Sequence, residues 1–211
     1  MFGKEILGQI RTNEKLNEFL GDLVVGTKDF HQDTRRTVDR LFPSPEAKDL
    51  LPTFRRASFE TLISKAADAL GLPQTPVLNQ AKNSTHREIK IDDFLLVSHH
   101  VSSPGFLVRD SNFRKTLAAN SQMSFFDEDE QESGHVFGVL LYGEFFNKEE
   151  DMSYPFLQLA FPNKELSDYV LKVDLLEMFK GRSKLDIAND VVQIADDVQP
   201  IFINVDLQKE L

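Results

Sequence analysis

Val136-Phe137-Gly138-Val139-Leu140-Leu141-Tyr142 and Phe156-Leu157-Gln158-Leu159-Ala160-Phe161 decide the fold class. Both runs are short, nearly continuous in apolar side chains and bounded by polar turns. That pattern predicts strands covered on both faces or set centrally in a sheet. Tyr169, Leu171, Val173 and Leu175 alternate behind them and predict a further strand, and residues 201–205 a last one. Upstream, residues 89–99 and 105–108 also read as extended, parted by the turn signal Ser102-Ser103-Pro104-Gly105.

The apolar period changes ahead of residue 73. Phe2, Ile6, Leu7, Ile10 and then Leu16, Phe19, Leu20, Leu23 recur at helical steps. Asn13 suits a break or cap between two helices, and Gly21 and Gly26 are expected to end the second. A third is expected to run through Val38 and Leu41 to Pro43, and a fourth to open at Ser44-Pro45-Glu46 and be interrupted at Pro52. Residues 58–70 read as a firmer helix closed by Gly71, and 112–120 and 183–198 as two more. Helices come first and strands second, without regular alternation. The expectation is an α+β protein, with a helical N-terminal portion packed on a mostly antiparallel C-terminal sheet. The divisions expected are a helical region 1–72, a linker or long loop 73–88, and an α+β sheet domain 89–211 that carries an acidic loop over 120–135.

Composition bounds the chemistry. The chain has 211 residues, 41% apolar and 27% charged, which is globular composition. With no cysteine, it has no disulfide, thiolate nucleophile or cysteine-based metal site. No apolar run reaches the ~20 residues of a spanning helix, and no basic-then-apolar leader pattern is present, so a cytoplasmic protein is expected. The net charge of −10 is unevenly spread. Residues 1–120 carry 17 Lys+Arg against 15 Asp+Glu, a net of +2, and residues 121–211 carry 7 against 19, a net of −12. The acidic half argues against direct contact of residues 121–211 with nucleic acid, while the first half could still touch phosphate locally; with no spanning run, no membrane partner is expected.

Gln122-Met123-Ser124-Phe125-Phe126 precedes Asp127-Glu128-Asp129-Glu130, so two adjacent phenylalanines stand in an acidic loop. The pentapeptide resembles the short motif by which bacterial polymerases and mismatch-repair proteins dock onto the replicative sliding clamp: Gln, an aliphatic residue, Ser or Asp, Leu, then Phe. Gln122, Met123, Ser124 and Phe126 match it, and Phe125 stands where Leu is commonest. The resemblance covers five residues of 211 and implies a protein partner, not a fold. Such a peptide would anchor two apolar side chains in a pocket while Gln122 bonds its rim. The competing expectation is that both rings pack on the parent domain.

Other constellations are weaker. His99 and His100 would point to opposite faces of a strand and so not share a metal. Asp92, Asp93, Glu144, Asp174 and Glu177, with Lys172, flank strands as a metal-dependent nuclease would require, at spacings that follow no motif. There is no nucleophile elbow near Ser98 or Ser102 and no phosphate-binding glycine loop. Arg35-Arg36, Arg40 and Arg55-Arg56 would form a basic patch if they shared a face, but interleaved acids favour helix-surface salt pairs. No catalytic residue, metal ligand or cofactor is assigned. The leading expectation is a non-enzymatic interaction protein docking a sliding clamp through Gln122–Phe126. The alternatives are an acidic inhibitor of a basic protein, of immunity type or mimicking nucleic acid, and a metal-dependent hydrolase.

Overall fold

A computed structural model describes residues 2–44, 49–78, 85–109, 111–123 and 135–181. Three helices, α1 (Phe2–Thr12), α2 (Glu14–Leu41) and α3 (Leu51–Ala69), precede a six-stranded sheet. Its strands are β1 (Gln74–Leu78), β2 (Thr85–Ile91), β3 (Phe94–His100), β4 (Val136–Asn147), β5 (Met152–Pro162) and β6 (Tyr169–Asp174). They lie side by side in chain order, all antiparallel except β3 with β4. That parallel step requires a crossover, and α4 (Asn112–Met123) lies within it. The short α5 (Leu175–Met178) follows β6, with the Asp174 side chain accepting from Glu177 N. This is the α+β class that the apolar periods imply.

The two faces of the sheet bury separate sets. Leu96, Leu140, Tyr142, Leu157, Leu159 and Phe161 join Ile10, Phe19, Leu20, Phe30, Phe59 and Ile63 in one core. Val97, Phe137, Val139, Leu141, Phe156 and Ala160 join Val108 and Ala118 of the crossover in the other. The period-two alternation of β3, β4 and β5 thus feeds two cores, which is why their sequences are apolar throughout. Helices and sheet share the first core. The inner ring of that core is aromatic: Phe59 stacks on Tyr142 at 3.7 Å, and Phe30 meets both edge-on.

Several local expectations change. Gly21 and Gly26 lie inside α2, which runs unbroken for 28 residues. A Cβ on Gly26 would run into the Leu62 methyl groups, so this glycine lets α2 and α3 approach closely. Pro52 begins α3 because the first turn of a helix has no use for its missing N–H. The stretch expected as a linker over 73–88 contains β1 and the start of β2, which pair from Gln74↔Ile89 to Leu78↔Thr85. Residues 89–99 are not one strand: Asp92, at φ 48°, turns the chain between β2 and β3. Asp tolerates this left-handed geometry, and Asn13 Nδ2 donates to its carboxylate at 3.0 Å. Residues 105–108 are irregular, with Val108 N donating to Tyr169 Oη at 2.9 Å. The helices expected at 45 and over 183–198, and the strand over 201–205, lie outside the described residues.

Candidate functional site

Because β3 and β4 run parallel, β3 ends at His100 beside Tyr142 while β4 continues to Asn147, and polar side chains gather where β3 stops. On the helical face the alternation that puts Phe94 and Leu96 in the core next presents Ser98 and His100. On β4, Tyr142 is followed on the same face by Glu144. Helix α2 contributes His31 and Arg35, one turn apart, and α3 contributes Arg55, Arg56 and Glu60.

Glu144 is the hub. Arg35 and Arg55 both reach its Oε2 through their NH2 groups, Arg35 at 2.9 Å. Glu144 and Arg55 are 14% and 16% exposed, whereas Arg35 is 50% exposed and open to solvent. His31, 3% exposed, lies 3.9 Å from the same oxygen. Burial, then the charges of Arg55, His100 and Arg35, drives its pKa down to about 3, so the ring is neutral and this contact is no ion pair. Neither ring nitrogen of His31, nor Nε of Arg55, has a partner among the described residues. His100 meets the Tyr142 ring edge-on and is lowered too, by burial first and then by Arg55.

Beside this hub, Ser98 Oγ donates to Glu60 at 2.5 Å, and burial holds the Glu60 carboxyl above its ordinary range. Arg56 donates to the Thr85 carbonyl and Arg87 to Gln74 Oε1 at 2.7 Å. Across the sheet, His99 is lowered to about 4, by burial first and then by Arg114. Its Nδ1 accepts from Arg114 at 3.0 Å. His86 stacks on Phe113 of α4. Four of the chain's five histidines therefore stand at one end of the sheet, with arginines from α2, α3, β2 and α4.

The sequence-level candidates fare differently. His99 and His100 do take opposite faces, and no group of three or more His, Asp or Glu suited to a metal occurs among the described residues. Asp92 and Asp93 sit at the start of β3, the opposite end from Glu144. Asp174 caps α5, Glu177 pairs with Lys180 at 3.1 Å, and Lys172 donates to the Pro104 carbonyl on the other face. These groups do not converge. Arg35 and Arg55 do meet, on a strand carboxylate rather than on helix neighbours, whereas Arg36 pairs within α2 with Asp33 at 3.9 Å. No spacing rule links residues 31, 35, 55, 100 and 144, so the hub has no signature in the sequence.

For the docking segment, Gln122 and Met123 form the end of α4, and Ser124, Phe125 and Phe126 lie outside the described residues. The chain on either side is pinned: the buried Ser121 Oγ accepts from Phe137 N at 2.8 Å. Ala118 anchors α4 in the second core. Among the described residues, no helix is long and apolar enough to cross a membrane.

No known protein family matches this sequence, and no curated protein or solved structure proves similar to it.

Proposed function

We propose that this chain is a non-enzymatic, cytoplasmic interaction protein that docks a folded protein partner through Gln122–Phe126, a bacterial sliding clamp being the partner its motif resembles. The observation that supports this reading is the 2.8 Å hydrogen bond from Phe137 N to Ser121 Oγ. The end of α4 and the start of β4 are therefore in direct contact. A helix-to-strand connection of about 2–6 residues would close such a gap. Here twelve residues, 124–135, separate α4 from β4. That is longer than an ordinary connection, and a segment tethered at both ends loses less freedom on a partner than a free tail does.

The test is calorimetric titration of the purified chain with a bacterial sliding clamp, beside the double variant Phe125→Ala/Phe126→Ala. Loss of the two anchors is expected to weaken binding at least about a hundredfold, because buried aromatic anchors dominate such contacts. Equal binding by the variant, or none by the intact chain, would overturn the proposal. The acidic-inhibitor reading would then lead, supported by the net −12 of residues 121–211 and requiring salt-sensitive association with a basic protein.

A further inference from the structure

We propose that the site where β3 ends, beside Tyr142–Glu144 of β4, binds a single tetrahedral oxyanion of the phosphate type, held by Arg35 and Arg55 with His31 and His100 as hydrogen-bonding partners. The site is independent of the docking segment.

Charge comes first. On the helical face, Arg35 and Arg55 share the one carboxylate of Glu144, and Arg56 and Arg87 lie near Glu60, so the guanidiniums at the hub outnumber the carboxylate they hold. Water can complete the hydrogen bonds of a buried donor, but it does not cancel surplus charge in a half-buried site. The histidines add none, since burial and the neighbouring guanidiniums keep His31 and His100 neutral.

Donor geometry comes second. Arg35 and Arg55 touch the same oxygen of Glu144, each through its NH2 nitrogen. The carboxylate thus fixes both guanidiniums while leaving each its other N–H groups. Arg55 Nε and both nitrogens of His31 are buried and have no described partner. Buried polar groups in proteins are almost always bonded, so the Arg55 Nε–H and the single N–H of the His31 ring are two donors that call for a further acceptor. Arg35 is half-exposed and so reachable from solvent, whereas His31 is buried behind it against the same carboxylate.

The direction of the donors selects the ligand. They arrive from α2, α3 and β3 rather than side by side from one guanidinium edge, which is the planar pattern a carboxylate prefers. A tetrahedral ion presents acceptors in all those directions. The overall charge of −10 repels an extended polyanion, so one compact group fits better than a nucleic-acid strand.

The test is isothermal titration and thermal unfolding of the full chain with inorganic phosphate, in chloride at matched ionic strength, with acetate as the planar comparison. Phosphate is expected to bind saturably and raise Tm, and acetate to do so at least tenfold more weakly. Arg35→Gln, at a half-exposed position that spares the core, is expected to weaken phosphate at least tenfold. Arg35→Lys, which keeps the charge but loses the fork, should fall between. Arg36→Gln, which disturbs only the pair with Asp33, should bind like the parent, as should Phe125→Ala/Phe126→Ala. Phosphate no better than chloride, acetate equal to phosphate, or an equal loss in Arg36→Gln would each overturn the site.

Discussion

Gly143 sits where β4 passes closest to the end of β3. A Cβ there would lie far inside van der Waals contact with the Val101 carbonyl oxygen and 2.7 Å from Phe156 Cζ. Val101 N also donates to the Tyr142 carbonyl at 3.0 Å, so the strand cannot simply retreat. Gly143→Ala is therefore expected to cost about 2–3 kcal/mol, the range of an overpacked core. Urea unfolding would measure it, with Gly8→Ala as comparison: nothing lies within 4 Å of a Cβ at Gly8, and alanine favours the helix. If the two substitutions behaved alike, the close approach would not matter. At this scale the sequence is ambiguous. Gly26 reads as a helix end because helices often finish at glycine, yet what it answers to is Leu62, 36 positions away.

At the scale of elements, the strongest periods are also the best placed. The two apolar runs that define the sheet became β4 and β5, longer at the hairpin because Gly143–Asn147 continues pairing with Met152–Phe156. Asn13 separates α1 from α2 as its chemistry suggests, its side chain accepting from Leu16 N at 2.8 Å. Short elements were less legible: β1 has five residues, Pro76 among them, and its exposed pattern looks like a loop until β2 lies beside it. The crossover offers a prediction here. Replacing residues 124–134 by about six Gly/Ser residues, the length an ordinary connection needs, should leave Tm within a few degrees, since Ser121 and Phe137 already meet. The same replacement should abolish clamp binding. A collapse in Tm would mean that the segment serves the fold instead.

For the whole molecule, the buried histidines couple stability to pH. His31 and His99 have pKa values lowered to about 3 and 4, so the unfolded chain takes up protons before the folded one. Their contribution is fully present above the unfolded value of about 6.5 and is lost as pH falls toward the folded values. By pH 5 each would remove about 2 kcal/mol relative to neutral pH. Glu60, raised by burial, acts in the opposite sense and offsets part of this. Chemical denaturation at pH 7 and pH 5 should show a net loss, smaller by about 2 kcal/mol in His31→Asn. Equal stability at the two pH values would contradict a buried, neutral His31.

The sequence by itself determined the class of the fold. Period and apolar continuity are local properties, and they separate a helical first part from a sheet whose central strands are covered on both sides. It also determined the charge asymmetry and the presence of an aromatic pair in an acidic segment. Tertiary structure alone decided that one strand pair is parallel, because pairing direction depends on where a crossover returns the chain. That single choice sets the end of β3 beside Tyr142 and close to Glu144 of β4. With α2 and α3 laid across them, His31, Arg35, Arg55, His100 and Glu144 become neighbours. Their separations along the chain carry no period, so only packing could assemble them.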